Sequence, residues 1–501
     1  MVNWKTCNDN FTERDDYMKN KQQVPFHQYI ISLACVAFLA GGGGYIYFDS
    51  QYKKQLANSP AQSGELKKVD DLYNEIVNNY VGKVDEKKLV DGALKGMTEA
   101  LDDPYSSYLN EPEADELDQS LAGSFEGIGA TMTMTDELPT VAQAPIEGSP
   151  AAKAGMKTND TILKVDDENT QGKTLSQVVS KIRGKKGTEV RLTIKRGEET
   201  FELKLKRDTI PIETVKGELD KKDDSVGSIK IISFGENTYK ELQESIKTLR
   251  KAGATSFVID LRQNPGGLLD QVEKMASMFL KDGKTILKFE DKAGNTSEEV
   301  ASSQLDGGFK VTEPTVVLVD EGSASASEIF AAALKESGNK EIIGTKTFGK
   351  GTVQTVKNLN DKSEIKLTVL KWLTPKGEWI HEKGLEPTIK ADYPDYAYLS
   401  PISRDKTLKL GDSSPVVKNI NALLKALGHD VNAEASDFSE QTKTAVSAIQ
   451  ADNNLPVTGE VDNETAAQIE TEVGKKIKEN DQAYDTGIKE LQKKVRKNKG
   501  E

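Results

Sequence analysis

The spacing of hydrophobic and polar positions changes several times along the chain. Residues 29–48 carry no charge, and residues 51–118 place apolar side chains at helical spacing. Residues 119–207 contain short β-type runs separated by turns, and residues 208–395 alternate strands with helices. Residues 404–475 return to a helical pattern. The pattern predicts a multidomain α/β protein with a β-rich domain ahead of its α/β core.

The uncharged run, YIISLACVAFLAGGGGYIYF, spans Tyr29–Phe48. Its length suits a single transmembrane helix, although GGGG at 41–44 weakens that helix. A cleaved signal peptide is the alternative, but no convincing A-x-A site lies within reach. We therefore expect an uncleaved anchor over 29–48. The Lys and Arg balance mildly favours a cytoplasmic segment 1–28, which would place the remainder outside the cytoplasm.

The stretch 49–118 is predicted to be a helical arm or linker. LKKVDDLYNEIVNNY has helical periodicity, and a second helix, DEKKLVDGALKGMTEAL, is predicted to stop at DDPYSSYL. An ordinary amphipathic helical region explains this pattern. By analogy, such an arm could also mediate a homodimer.

Composition excludes several classes of function. The net charge of −13 makes nucleic acid an unfavourable partner. The chain has only Cys7, Cys35, His27, His381 and His429 for thiol or imidazole chemistry. These residues are too few for a His-dependent triad or a multi-His zinc site, and none of the cysteines lies in the main part of the chain to act as a nucleophile. We therefore expect no metal and no cofactor. His381, in GEWIHEKGLEP, is interpreted as an ordinary polar residue near a strand end.

The segment 119–207 resembles a PDZ domain. The resemblance rests on GIGA at Gly127–Ala130, on SPAAKAGMKTND, and on helix Leu175–Ile182 before strand Glu189–Arg196. It implies that C-terminal tails of protein substrates add a strand to the sheet. The loop Phe125–Gly129 would bind the terminal carboxylate.

The residues expected to bind a substrate tail are thus Phe125, Gly127, Ile128 and Gly129, with Arg183 as a further candidate. Arg183 lies in the turn KIRGKKG. It is a candidate for gating the active site, and a solvated turn arginine is the equally plausible alternative. A plain turn is the alternative for GIG.

Three segments carry candidate chemistry. In DEGSASASE, Asp320–Glu328, a serine before a helix has free N–H groups beside it that could stabilise an oxyanion, although helix capping alone would also explain it. In KTFGKGTVQ, Lys346–Gln354, glycines flank Lys350 and permit close backbone approach. Lys350 could act as a base if burial made it neutral, whereas a surface lysine in a turn is the alternative.

Lys350 and Gln354 are four residues apart, so in extended chain they would face the same way, and the Gln354 amide could orient the amine. The third segment, DLRQNPGG at Asp260–Gly267, offers a Pro-Gly-Gly nest of N–H groups that suits an anion. A plain strand-to-helix turn is one alternative. A phosphate loop is another, but no G-K-[ST] follows.

Taken together, the three segments resemble the C-terminal processing peptidases, a serine peptidase family, over roughly residues 60–395. The resemblance implies a Clp/crotonase-like α/β core over 208–395. It also implies acyl transfer, with Ser325 as nucleophile, Lys350 as general base and Gln354 as the orienting member. The backbone N–H groups of Ala326 and of Gly266 or Gly267 would form the oxyanion hole. The implied function is an endopeptidase that cleaves proteins near their C-terminus.

The segment 404–475 resembles the small all-α peptidoglycan-binding domain of wall enzymes. Its carrying pieces include LGD at Leu410–Asp412 and the helix Val416–Gly428. Contact with peptidoglycan and a location on the cell-wall side of a bacterial membrane are therefore expected. Residues 476–501, rich in Lys and Glu, are predicted to form a charged, solvated helix or tail.

Two other functions fit parts of the sequence. One is an inert binding scaffold, which would not require the catalytic residues. The presence of Ser325, Lys350 and Gln354 argues against it. A glycan hydrolase would need paired carboxylates in a cleft, and no such motif stands out.

Overall fold

The computed structural model describes residues 64–135 and 137–499 of the chain. The predicted cytoplasmic segment 1–28 and the predicted anchor 29–48 lie outside these residues. Within the described part, no helix is both long enough and apolar enough to cross a bilayer.

The predicted helical arm contains two helices, α1 (Gly64–Asn79) and α2 (Glu86–Glu99). On α1, the apolar side chains of Leu66, Val69 and Leu72 are exposed. The arm prediction misses a strand, because Ser107–Leu109 forms β1 and pairs with a strand of the α/β core. Helix α3 (Glu111–Leu121) follows, capped by Asn110 and Glu113.

The next domain is a small β-rich unit whose chain enters and leaves through paired strands. Strand β2 (Ser124–Gly127) pairs antiparallel with β9 (Asp208–Pro211), which closes the base of the unit. Between them lie strands β3 to β8, and the sheet order is β3-β4-β5-β7-β8 with β6 paired to β5. The strand bounds are Met132–Thr135, Leu138–Val141, Thr161–Val165, Glu168–Asn169, Glu189–Arg196 and Glu199–Lys206.

Two short helices, α4 (Pro150–Lys153) and α5 (Leu175–Ile182), complete this unit. Its core is formed by apolar residues that alternate along the strands, such as Val190, Leu192 and Ile194. Strand β3 has one sheet neighbour, β4, so its other edge is open. An open edge is what strand addition by a peptide requires.

The α/β core contains a six-stranded sheet of order β10-β11-β12-β15-β16-β19, in which all strands after β10 run parallel. Every residue of β12 and β15 is buried, as parallel strands covered on both faces require. The bounds are Val215–Leu219, Val226–Ile231, Ser256–Asp260, Thr315–Val319, Glu341–Gly344 and Ile389–Lys390.

One face of this sheet packs against helices α6 (Thr238–Lys251), α7 (Leu269–Phe279) and α9 (Ala326–Glu336), with the one-turn α8 (Ser303–Asp306) beside α7. A second, antiparallel sheet has the order β1-β18-β13-β14, with β17 also paired to β18. Its remaining strands are β13 (Thr285–Glu290), β14 (Thr296–Val300), β17 (Thr352–Asn358) and β18 (Glu364–Leu373).

After a 3-10 turn at Asp395–Tyr398, three helices form the predicted C-terminal helical unit around their own apolar core. They are α10 (Pro415–Ala426), α11 (Glu440–Asp452) and α12 (Asn463–Glu479).

After residue 476 the structure shows a helix, one of the two predicted forms, but one side of that helix is not solvated. Residues Gln482–Lys499 form a helix, α13, whose apolar side covers the second face of the parallel sheet. Tyr484, Ile488 and Leu491 lie at helical spacing and pack against the sheet, where alternate strand residues such as Val316 and Leu318 face them. Lysines on the other side of α13 dominate its composition, which is why composition predicts a solvated tail.

Candidate active site

The fold brings the three candidate segments together at one edge of the parallel sheet. Strand β12 ends at Asp260, β15 at Val319 and β16 at Gly344, and these strands are neighbours in the sheet. DLRQNPGG, DEGSASASE and KTFGKG each start at or just beyond one of these ends. Carboxyl ends of parallel strands meet at the same edge, which is where α/β proteins place their sites.

Burial separates the three serines of DEGSASASE. Ser323 and Ser327 are fully buried. Ser323 Oγ donates to the Leu261 carbonyl at 2.8 Å, and Ser327 Oγ donates to the Asn264 carbonyl at 2.9 Å. Both hydroxyls therefore hold the DLRQNPGG turn in place. Only Ser325 among the three is partly exposed and lines a cavity.

Ser325 also has an unusual backbone. It immediately precedes helix α9 with φ 54° and ψ −113°, a conformation that a side chain with Cβ rarely adopts. Such strain persists only where surrounding contacts impose it, and it is concentrated at functional sites. The turn presents the Ser325 side chain at the start of the helix, next to backbone N–H groups that the helix leaves unpaired.

The cavity beside Ser325 has a volume of about 530 Å³ and also contains Lys350 and Gln354. Much of its lining is apolar, contributed by Leu117, Leu121, Leu268, Leu269, Ile329 and Val353. The structure thus places the three predicted catalytic side chains around one largely apolar cavity.

Lys350 lies in an environment that favours its neutral form. Burial lowers its pKa below the usual range, and the charge of Lys366 lowers it further, whereas Asp103 and Glu328 act in the opposite direction. The ammonium nitrogen lies 4.8 Å from the ring centroid of Tyr105, a residue of the turn before β1. No motif in the sequence marks Tyr105 as part of the site.

Gln354 is held by two threonines. Its Nε2 donates to Thr352 Oγ1 and to Thr368 Oγ1, both at 3.0 Å. These bonds fix the orientation of the amide. The even-spacing argument for Lys350 and Gln354 is wrong in detail, because β17 begins at Thr352 and Lys350 lies in the turn before it. The two side chains reach the same cavity through the shape of that turn.

The candidate oxyanion donors are also brought together. A Cβ on Gly266 would lie 2.8 Å from the Ala324 carbonyl oxygen and 2.9 Å from the Ala326 nitrogen, and its φ is +102°, so glycine is required there. The Gly266 N–H donates to Asn264 Oδ1 at 2.9 Å. Ala326 and Gly267 line the cavity. Of the two glycines, Gly267 is therefore the better placed.

In the β-rich unit, the predicted tail-binding loop is shorter than expected. Phe125 and Gly127 belong to β2 and pair with Ile210 and Asp208 of β9. Ile128 is buried, and Gly129, with φ +78°, turns the chain toward the open strand β3. Only the Ile128–Gly129 part thus forms a loop at that edge.

Arg183 is not a free, solvated arginine. Its guanidinium lies 5.1 Å from the ring centroid of Phe125, and its Nη1 donates to Gln119 Oε1 at 3.4 Å. Gln119 belongs to α3, the helix that also contributes Leu117 and Leu121 to the cavity. Arg183 therefore connects the β-rich unit to the helix beside the candidate site.

Comparison with known proteins decides the family. Residues 225–391 match the model of peptidase family S41, 141–196 a PDZ domain, 413–469 a peptidoglycan binding domain and 43–113 the N-terminal domain of the activating protease CtpB. The carboxy-terminal processing protease CtpA of Bacillus subtilis is 45% identical over 444 residues, covering 88% of this chain and 93% of that protein. The chain belongs to peptidase family S41.

Two further proteins extend this comparison. The S41 chain is 39% identical to the carboxy-terminal processing protease CtpB of Bacillus subtilis over 474 residues, covering 92% of this chain and 98% of that protein. A solved structure of the photosystem II D1 C-terminal processing protease is 30% identical and covers 64% of this chain and 86% of that one, with a TM-score of 0.38. The S41 family model and the two Bacillus subtilis relatives show that the protein is a serine-type peptidase of the carboxy-terminal processing group.

The S41 core contains a buried acid that the sequence argument missed. Glu328 is fully buried in the first turn of α9. Its Oε2 accepts the N–H groups of Ser325 and Lys350, each at 2.8 Å, and its Oε1 accepts the Gly349 N–H at 2.7 Å and the Thr347 hydroxyl at 2.5 Å. One carboxylate thus ties the serine turn to the lysine turn. The available signal was an acid in the first turn of a helix, directly before the apolar run 329–334.

Burial raises the pKa of Glu328, and the four donors oppose this rise. Each carboxylate oxygen accepts two hydrogen bonds, so the contacts suit the ionised form. Among the residues that the structure describes, no group of three or more His, Cys, Asp or Glu side chains is arranged to hold a metal ion.

The glycines flanking Lys350 permit close backbone approach, as predicted from the sequence. A Cβ on Gly351 would lie 2.8 Å from the His381 backbone nitrogen, and a Cβ on Gly349 would lie 2.8 Å from the Gly384 nitrogen. Both glycines therefore lie directly against the backbone of the 379–384 turn of the S41 core. His381 is also more than a polar residue near a strand end, because its Nδ1 accepts the Gly351 N–H at 3.2 Å.

Proposed function

We propose that this peptidase cleaves proteins near their C-terminus with Ser325 as nucleophile, Lys350 as general base and Gln354 as the orienting amide. The observation that carries the proposal is the separation of the three serines. Ser323 and Ser327 are buried in structural hydrogen bonds, whereas Ser325 is strained, partly exposed and shares a cavity with a lysine whose pKa is lowered.

The reaction follows from this arrangement. Neutral Lys350 takes the proton of the Ser325 hydroxyl as Oγ bonds to the carbonyl carbon of the substrate. The N–H groups of Ala326 and Gly267 stabilise the oxyanion. The Lys350 ammonium then protonates the leaving amine as the C–N bond breaks. Water attacks the acyl-enzyme, Lys350 accepts its proton and returns it to Ser325 Oγ, and the new carboxyl terminus leaves.

The test uses the full chain and a folded protein with an unstructured C-terminal tail as substrate. Ser325→Ala and Lys350→Ala should each abolish cleavage. Lys350→Arg should also be inactive, since a guanidinium does not become neutral in this pH range. The control is Lys346→Ala, an exposed lysine of the same segment whose partner is Glu386 at 3.6 Å. Retained cleavage in both Ser325→Ala and Lys350→Ala would overturn the assignment of these residues, whereas a wild-type chain that cleaves nothing would support the inert scaffold instead.

For substrate capture, we propose that the tail adds to the open edge of β3, with its carboxylate at the Ile128–Gly129 loop. Arg183, through Phe125 and Gln119, would transmit occupancy of this edge to helix α3. A substrate whose terminal carboxylate is amidated should then show a raised KM. Equal KM values for the free and amidated tails would refute carboxylate capture.

We also propose that the catalytic part acts on the cell-wall side of a bacterial membrane, anchored by residues 29–48. The proposal is supported by the uncharged run and by the match to a peptidoglycan binding domain. Lys409 is exposed and can be replaced by cysteine. In intact cells, this Lys409→Cys variant should react with a membrane-impermeant maleimide. Purified peptidoglycan should retain the full chain. Labelling that requires cell lysis would overturn the proposed orientation.

A further inference from the structure

We propose that His381 is a positioning residue that must be neutral for the peptidase to work, because its imidazole holds the backbone of the catalytic lysine. This inference rests on the proposed role of Lys350. It predicts that activity at low pH depends on the deprotonation of two groups, His381 as well as Lys350.

The first observation is how completely the backbone beside Lys350 is hydrogen-bonded. The Lys350 carbonyl accepts from Trp372 Nε1 at 2.7 Å, and the Gly351 carbonyl accepts from Trp379 Nε1 at 2.8 Å. The Lys350 N–H donates to Glu328, and the Gly351 N–H donates to His381 Nδ1. Of these partners, His381 is the one whose kind of side chain changes charge between about pH 5 and 8.

The second observation is the lack of space around this contact. Gly351 lies so close to the 379–381 segment that an added Cβ would be 2.9 Å from both His381 Cβ and Trp379 Nε1. The imidazole stacks on the Trp379 ring, with centroids 5.1 Å apart, and meets the edge of Tyr105 at 6.2 Å. Tyr105 in turn covers the Lys350 ammonium nitrogen at 4.8 Å. The ring therefore cannot swing away without disturbing the wall of the lysine site.

The chemistry then follows from the direction of the hydrogen bond. A nitrogen that accepts from Gly351 carries no proton, so the neutral imidazole has its proton on Nε2. Protonation of Nδ1 would set one donor against another and leave the Gly351 N–H without its acceptor. His381 is half-buried, so protons reach it from solvent. The turn that holds Lys350 would then shift.

Two titratable groups from the turn before β1 interact with His381, Asp103 through its charge and Tyr105 through its ring. Three more lie one contact further away, namely Lys350 on the Tyr105 ring, Lys371 on the Trp379 ring and the chain neighbour Glu382. Two of these groups are acids and two are lysines, so their charges balance around His381. The hydrogen bond itself, rather than the local field, carries the argument.

The test is the pH dependence of kcat/KM for the full chain between about pH 5 and 9, with two variants. His381→Asn supplies an oxygen two bonds from Cβ, where the imidazole has Nδ1, and does not titrate. His381→Leu fills space without an acceptor. At the acid end, the wild-type value should fall by up to about tenfold more per pH unit than that of His381→Asn, because the asparagine amide cannot be protonated there.

Near pH 8, His381→Asn should stay within about threefold of wild type, whereas His381→Leu should lose about tenfold or more. A purely structural role would not change the steepness of the acid limb. A wild-type limb of the same steepness as that of His381→Asn would overturn the proposal. So would full activity of His381→Leu near pH 8.

A second measurement does not depend on activity. The chain has only three histidines, His27, His381 and His429, so imidazole ¹⁵N resonances are assigned by loss in His381→Asn. Nδ1 of His381 should be unprotonated near pH 8, and a protonated Nδ1 there would refute the inference. Cleavage by Lys350→Ala would instead refute the proposed catalytic role of Lys350, so the two failures are distinguishable.

Discussion

Replacing Glu328 by glutamine tests whether one carboxylate aligns the serine and lysine turns. Glu328 is fully buried, and each of its oxygens accepts two hydrogen bonds, from four donors in total. The amide keeps one oxygen and replaces the other with an NH₂ group. Whichever way the amide is oriented, its NH₂ group points at two of the four donors and cannot accept hydrogen bonds from them. Two hydrogen bonds to a charged acceptor are therefore lost.

The magnitude follows from those two bonds. A hydrogen bond to a charged group contributes about 1.5–3 kcal/mol, so the change should cost about 3–6 kcal/mol. Since Glu328 bonds the backbone of both Ser325 and Lys350, we expect much of this cost to appear as misalignment of the two side chains. At about 1.4 kcal/mol per tenfold, kcat should fall at least a hundredfold.

The assay is steady-state cleavage of a tailed substrate by the full chain, with thermal unfolding followed in parallel. Glu336→Gln is the matched control, because it makes the same change in the same helix at a partly exposed acid that accepts one backbone N–H, from Lys376 at 2.8 Å. That control should stay within about twofold of wild type. A Glu328→Gln enzyme with kcat within about threefold of wild type would refute the reasoning.

Three further predictions concern other parts of the core. Lys366→Gln removes a positive charge that lowers the pKa of Lys350, so that pKa should rise and the ascending limb of the pH–kcat/KM profile should move to higher pH. Gly351→Ala places a Cβ 2.8 Å from the His381 nitrogen and should cost about 1–3 kcal/mol, measured as a lower melting temperature with reduced kcat. Leu491→Ala, at a fully buried position of α13, should cost about 2–5 kcal/mol by thermal unfolding.

Each of these changes has a control. The exposed Lys357 of β17, changed to Gln, should leave the pH profile in place. Gly474→Ala, inside α12 with open space around it, should stabilise the protein by up to about 1 kcal/mol. The exposed Lys497 of α13, changed to Ala, should leave the melting temperature unchanged. An unshifted profile in Lys366→Gln, or unchanged melting of Gly351→Ala or Leu491→Ala, would contradict the corresponding prediction.

Local patterns in the sequence were enough for the architecture of the peptidase core. Alternating strands and helices predict parallel strands, and the carboxyl ends of such strands meet, which is why three separate motifs could be expected to form one site. The helical spacing in 404–475 and the turns of the PDZ domain are also short-range signals. The family models confirm the PDZ, S41 and peptidoglycan-binding domains.

Other features depend on contacts between residues far apart in the chain, and no local pattern encodes them. Asp481 forms two hydrogen bonds, at 2.8 and 2.7 Å, with Arg262, which lies 219 residues earlier, and this contact accompanies the docking of α13 onto the sheet. Tyr105 reaches Lys350 because β1 pairs with β18. Composition alone made α13 look solvated and β1 look like part of a linker.

The serines show the division most clearly. Local sequence pattern alone predicts a serine-rich turn between a buried strand and a helix. Family resemblance then singled out Ser325. Only the tertiary structure supplied a physical reason, since it buries Ser323 and Ser327 against the DLRQNPGG turn and leaves Ser325 in the cavity with Lys350. Burial and strain depend on what the rest of the chain packs against a residue, and spacing along the sequence does not contain that information.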